Sequence, residues 1–324
     1  MAQPHPTNIS LLELHLTGIP GLQHLHLWMS FPFCILYLVT LAGNSTLLCL
    51  IKADPSLHLP MFLFLSMLAV TDLLMSTSII PKMLGIFWFR STAISLDACL
   101  TQMYFVHTLS MMESGLLVAM AFDRYVAICN PLRYLSILTS PMVAAIGLST
   151  LLRAVVFMSP LTSQILRLPL CSPAVVDHSY CEHMAMLNLA CGNAAFSHTY
   201  ILSVATYVVS FDSLLIAISY AFVLRAVLSL SSPRASCKKA FSTCGSHLCV
   251  MAFFYIPGLL SMYMERYHQE LPPHIQVLLA DFYLLIPPAF NPLIYGIRTK
   301  QIRDGARRVI SRRRPMAGGI GPGL

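Results

Sequence analysis

Long apolar stretches broken by short polar ones set the pattern of this chain. A helix crosses the hydrocarbon core of a bilayer with about 20 mainly apolar residues. Seven stretches meet that test, at about 27–51, 61–87, 98–128, 142–166, 196–224, 241–264 and 275–297. The pattern predicts an all-α membrane protein, a seven-transmembrane helix bundle over 27–298. A tail at 1–26 precedes it and a basic segment at 299–324 follows. The connections are short except for residues 167–195, where a loop of this length calls for a function or a staple. After Thr299, Ile302, Ala306, Val309 and Ile310 share one face and five Arg are interleaved, which predicts a short amphipathic helix on the inner membrane surface. The Gly- and Pro-rich end, Pro315–Leu324, is expected to be disordered.

Composition strengthens this reading. Hydrophobic residues make up 56% of the 324, charged ones 10%, and the mean hydropathy is +0.71. A soluble domain carries about 25% charged residues, so a soluble enzyme or nucleic-acid binder is excluded. The net charge of +7 is a matter of topology. With the N-terminus outside, the cytoplasmic segments hold Lys52, Arg124, Arg133, Arg225, Arg234, Lys238, Lys239 and every Lys or Arg from Arg298 onwards, which satisfies the positive-inside rule. The same charges tether the chain to anionic lipid of the inner leaflet. No cleavable signal peptide is evident, so the first span is expected to act as its own signal anchor. Cys99, Cys171, Cys181 and Cys191 fall on the oxidising side, where spacing alone leaves three pairings open. Asn8-Ile9-Ser10 is a glycosylation sequon in the outside tail.

Several strings carry more. The third span ends in Asp123-Arg124-Tyr125 within MAFDRYVAICNPLRY. The seventh ends in Pro287-Pro288-Ala289-Phe290-Asn291-Pro292-Leu293-Ile294-Tyr295, where prolines free backbone carbonyls and permit a hinge. Together they resemble the rhodopsin-like G-protein-coupled receptors. Pro60-Met61-Phe62-Leu63-Phe64-Leu65, Ser219-Tyr220, and the run from Lys239 to His247 narrow the resemblance to odorant receptors. Phe254-Tyr255-Ile256-Pro257 stands where most rhodopsin-like receptors have Cys-Trp-x-Pro, and the fifth span lacks their proline. Both departures are odorant-receptor features. Thr17-Gly18-Ile19-Pro20-Gly21-Leu22 is similar to the fish-like class I subgroup.

The resemblance implies a receptor that binds a small odorant, a carboxylic acid or other polar volatile, from outside. It implies activation of a stimulatory, olfactory-type G protein that raises cyclic AMP, in the plasma membrane of olfactory cilia, with trafficking accessory proteins as further partners. It also implies disulfides Cys99–Cys181 and Cys171–Cys191. Asp123, Arg124 and Tyr125 would form the coupling end, with Tyr220, Asn291, Pro292 and Tyr295 acting in activation. Asp72 and Glu113 would face each other in the core, with either a sodium ion bound or one acid protonated, or simply as a buried hydrogen-bonded pair. No other cofactor is implied. Two rivals remain: a transporter relaying protons along the intramembrane acids, and the same fold serving a non-olfactory tissue. An enzyme is not expected, because no nucleophile–base set is evident. The transporter is disfavoured by the lack of paired repeats.

Helical spacing supplies the candidate pocket. His107, Ser110, Met111 and Ser114 share one face, as do Leu259, Met262 and Arg266. Met111, Leu259 and Met262 could equally be packing residues, and His107 a satisfied polar group. Arg266, nine residues beyond Pro257, is about 13.5 Å further along the helix. It could bind a carboxylate bidentately or pair with Glu265, Glu270 or Asp281. His183, two residues after Cys181, would hang over the pocket. The run from His178 to His183 has metal-like spacing, but a disulfide at Cys181 would remove the thiolate a copper or zinc site needs. Spacing assigns no role to Arg153 or Asp212.

Overall fold

A computed structural model describes residues 13–170, 174–229, 245, 247–261 and 271–313. Six helices are long and apolar enough to cross a membrane: α1 (His26–Ala53), α2 (Pro60–Phe89), α3 (Leu96–Cys129), α5 (Ser140–Ile165), α7 (Ala195–Leu228) and α9 (Pro273–Arg298). A shorter apolar helix, α8 (His247–Ser261), completes a seven-helix bundle. It occupies the middle of the stretch expected at 241–264. Asn8, Cys171, Lys238, Lys239, Met262, Arg266 and the segment after Arg313 lie outside the described residues.

Local chemistry fixes the helix ends. Pro60 and Pro273 stand in first turns, where no backbone N–H is needed. Ser95 caps α3 by accepting from the Ala98 amide at 3.3 Å. Asp54 accepts from the Ser56 amide at 3.0 Å and turns the chain between α1 and α2. α3 packs against α2, α5 and α7 and forms the axis of the bundle. Close approaches elsewhere need glycine. A Cβ at Gly43 would lie 2.7 Å from Pro292, so α1 and α9 touch there.

Among the described residues, the two largest apolar clusters lie one at each end. The outer contains Leu14, Leu16, Cys99, Val106 and Val176; the inner contains Phe64, Leu117, Met120, Tyr295 and Ile302. Ile302 belongs to α10 (Lys300–Arg313), which follows α9 directly.

The outer end carries a small sheet. β1 (Glu13–Leu16) pairs antiparallel with β2 (Ala93–Ser95), Glu13 opposite Ser95, and parallel with β3 (Val175–Val176), His15 opposite Val175. Gly18, at φ 78°, turns the chain back towards α1 and leaves room for His26, whose ring a Cβ would meet at 2.6 Å. The loop between α5 and α7 is therefore structured. It holds β3 and the short α6 (His183–Leu187), whose cap is Glu182 accepting from the Ala185 amide at 2.7 Å. On the opposite face, α4 (Tyr134–Ile137) follows α3.

Candidate functional site

The disulfide Cys99–Cys181 ties the long loop to the first turn of α3. Gln102 adds a second tie, its side-chain oxygen accepting from the Cys181 amide at 2.9 Å. Cys191 is also disulfide-bonded, and the Leu170–Ala190 bridge draws the two ends of the loop together. Its expected partner, Cys171, is outside the described residues.

Beneath the loop lie two adjoining cavities of about 200 and 150 Å³. His107, Tyr180, Ile201, Phe254, Tyr255 and Tyr283 line both. Ser110, Met111 and Ser114 join His107 on the α3 wall, and Leu259 and Ser261 contribute from α8. The polar groups are mutually engaged. Ser110 and the Tyr283 hydroxyl are 2.5 Å apart, and Ser114 and the Tyr255 hydroxyl 2.8 Å. The Nε2 of His107 is buried without a partner.

His183 departs from its expected place over the cavity. It is fully buried outside the described lining, its ring edge-on to His107 with centroids 6.2 Å apart. Burial, with His107 and His198 close by, holds its pKa down to about 3. Burial likewise lowers His178 to about 3. His178 packs edge-on against Tyr180, and its neighbour Ser179 donates to Asp281 of α9 at 2.6 Å. Among the described residues, no three His, Cys, Asp or Glu side chains cluster as metal ligands would.

Below the cavity floor sits a pair that spacing left unassigned. Arg153 of α5 meets Asp212 of α7 in a bidentate contact, Nη1 to Oδ1 at 2.7 Å and Nη2 to Oδ2 at 2.9 Å. Ser114 donates to the same Asp212 oxygen at 2.6 Å. Arg153, Asp212, Ser114 and Tyr255 thus link α5, α7, α3 and α8 in one chain of hydrogen bonds. A buried Asp and an intramembrane Arg with no other role are partners by elimination, a signal the sequence did contain.

Deeper still, Asn291 donates to both oxygens of Asp72, at 3.0 and 3.3 Å, and to Glu113 at 3.5 Å. The structure thereby sets both acids around one amide. Asn44 donates to Pro288 O at 2.9 Å, while its own Oδ1 is buried and unpartnered.

At the inner end, Arg124 folds onto Asp123, its Nη2 2.5 Å and its Nε 3.0 Å from Oδ2. Tyr134 of α4 donates to the other oxygen at 2.7 Å. Burial and the Asp123 charge hold that phenol well above its ordinary pKa. Tyr125 packs on Phe222 of α7, and the Tyr295 hydroxyl lies 3.4 Å from His247 Nδ1 of α8. Tyr220 and Tyr125 both pack against the cluster of Val223 and Val227.

Residues 33–313 match the family described as "Olfactory receptor". Human olfactory receptor 52K2 is 50% identical over 309 residues, 95% of this chain and 96% of that relative. Human olfactory receptor 52K1 is 50% identical over 289 residues, 89% and 92% of the two chains. Human olfactory receptor 52N4 is 48% identical over 297, 91% and 92%.

Proposed function

We propose, because the chain belongs to the olfactory receptor family, that its outer cavity takes a carboxylic acid or another small polar volatile and that its inner face activates a stimulatory G protein. Membership itself makes the chain an odorant receptor, a multi-pass protein of the plasma membrane and not an enzyme. The finer reading includes a rise in cyclic AMP and residence in olfactory cilia.

One observation carries the ligand class. The cavity is apolar along Ile201, Phe254 and Leu259 but places hydroxyls and an unpartnered imidazole nitrogen on two facing walls. Such a lining favours a short apolar body with one hydrogen-bonding head. His107, Tyr255 and Tyr283 can each donate to an oxygen. The preference for an acid rests on the family resemblance at Arg266, which lies outside the described residues.

Coupling follows from separation. His107 and Arg124 are 17 residues apart on α3, about 25 Å. A ligand therefore acts by favouring one helix arrangement. The chain from Tyr255 through Ser114 to Asp212 and Arg153 offers a route, since a head group competing for Tyr255 or Ser114 changes what holds α8 to α3. The inner end is latched by Asp123, Arg124 and Tyr134. Release of Arg124 and an outward swing of the inner half of α8, below Pro257, would open a seat for the G protein, with Tyr220 and Tyr295 moving in behind.

A sodium ion fits beside Asp72 and Glu113. One amide serves two carboxylates there, and an unpartnered Asn44 oxygen lies on the adjoining helix. Asp72 and Glu113 would hold the ion, which would supply the charge balance that a shared proton supplies otherwise. Sodium should then raise the thermal stability of purified receptor at constant ionic strength, and Asp72→Asn should remove the increment. An equal effect of potassium would leave the shared proton as the reading.

The decisive experiment is a cyclic-AMP screen in transfected cells with matched acids, alcohols and esters. Arg266→Ala should abolish responses to acids with surface expression intact. Unchanged acid dose–response curves would remove the carboxylate assignment.

A further inference from the structure

A further cavity, of about 370 Å³, lies between α3, α5 and α7 and shares no lining residue with the two outer ones. Val118, Ala119, Phe122, Ile146 and Leu215 form apolar walls, and Arg153 with Asp212 forms one end. Its mouth faces lipid, because Phe122, Ser149 and the adjacent Leu148 and Leu214 are exposed between mid-span and the inner end. Arg153 stands 13 residues above the start of α5, about 20 Å from the inner helix end. The hydrocarbon core is about 30 Å thick, so this end of the groove is out of reach of phospholipid head groups.

The hydrogen-bonding inventory of the groove is one-sided. Ser149 and Thr150 spend their protons on their own helix, donating to Ile146 O and Gly147 O, both at 2.7 Å. Arg153 is the remaining donor. Its Nη groups serve Asp212 and Met111 O, but its Nε–H is buried without an acceptor, while 22% of the side chain stays exposed. Lipid tails supply no acceptor, and an unmet donor in hydrocarbon is costly. Gly115 lets α3 and α5 close on each other at this end, because a Cβ there would lie 2.8 Å from Thr150 and 3.1 Å from Arg153 Nη2.

We propose that this groove is a second ligand site, entered from the bilayer, for a neutral single-chain amphiphile bearing a carbonyl oxygen. The carbonyl accepts from Arg153 and the chain lies along Val118, Phe122 and Ile146. A neutral head is required because Arg153 and Asp212 already cancel, and a further charge at this depth would be unpaired. A volume of this size is at the small end of ligand pockets, which suits a medium-length chain and not a phospholipid. The site does not depend on what the outer cavity binds.

Full-length receptor in lipid nanodiscs can be photolabelled with a ten-carbon methyl ketone carrying a diazirine near its chain end. The control probe is the same chain without the carbonyl, and labelled peptides are mapped by mass spectrometry. Saturable labelling within 115–122 and 146–153, about ten-fold above the hydrocarbon probe, is expected. Ser149→Phe, at the exposed mouth, should reduce it about ten-fold with thermal stability unchanged, and Ile146→Trp serves if that variant folds poorly. Equal labelling by both probes, labelling only around Ile201 and Leu259, or labelling that survives the blocking variant would each overturn the site.

Discussion

At the scale of single residues, the charges inside the bundle are the informative ones, and their partners decide their cost. Arg153 and Asp212 form a bidentate pair, with Ser114 as a third member. Removing one side of a buried pair leaves an uncompensated charge, a loss of about 3–5 kcal/mol, whereas apolar replacement of both is often close to neutral. Asp212→Asn should therefore lower the melting temperature of detergent-purified receptor sharply. The Arg153→Met, Asp212→Leu double variant should recover most of the loss. A double variant less stable than either single one would contradict the pairing argument. The latch at Asp123 is a second residue-scale case. Tyr134→Phe removes a hydrogen bond to a charged acceptor, worth about 1.5–3 kcal/mol. Basal cyclic AMP should rise several-fold at equal surface expression, and an unchanged basal level would exclude Tyr134 from the latch.

At the scale of elements, the long loop and α10 behave as packed units, and pH separates them. His178 and His183 are buried neutral in the loop, each with its pKa held down to about 3. Their folded values lie below the unfolded value of about 6.5. The stability they permit is thus complete above that pH and falls below it, by up to about 1.4 kcal/mol per pH unit for each. With the intrinsic pH dependence of amide exchange divided out, protection across residues 174–190 should fall as pH drops from 7 to 5, and constant protection would count against neutral burial. Docking of α10 titrates elsewhere. Arg308 donates to Asp54 Oδ2 at 2.8 and 3.0 Å, and with Ser56 it holds the Asp54 pKa down to about 2. That contact is complete above about pH 4 and lost as pH falls towards 2, so α10 should keep the same protection factor at pH 7 and pH 5. The contrast also shows what a sequence can reveal. Helices α1, α2 and α3 were legible because apolar runs of that length have few other uses. The order within 167–195 was not legible, because β3 and α6 have no period of their own. They are held by a strand from the N-terminal tail, a disulfide and Gln102, all distant in sequence. The wall of His107, Ser110, Met111 and Ser114 could be read from 3–4 spacing. Its partners Tyr255 and Tyr283, on other helices, could not, nor could Tyr134 as the partner of Asp123.

At the scale of the whole molecule, the ligand and the transducer must be linked through the equilibrium between helix arrangements. Any coupling free energy acts equally in both directions. If the odorant favours the arrangement with Arg124 released, a nucleotide-free stimulatory G protein must tighten odorant binding by the same factor, about 5–150-fold for ordinary couplings. Arg124 lies about 25 Å from His107 along α3 and cannot touch the ligand. Arg124→Ala should therefore leave odorant affinity without G protein near that of the wild type, since the outer cavity, its disulfide and its hydroxyl pairs are untouched. The G-protein-induced tightening should vanish. Binding of the active odorant from the screen, measured on receptor in nanodiscs with and without the heterotrimer, gives both numbers from one preparation. A tightening that persists in Arg124→Ala would place the transducer contact elsewhere. A loss of affinity in the variant alone would mean that Arg124 shapes the outer cavity through the bundle, and the division of the molecule into a ligand end and a coupling end would then fail.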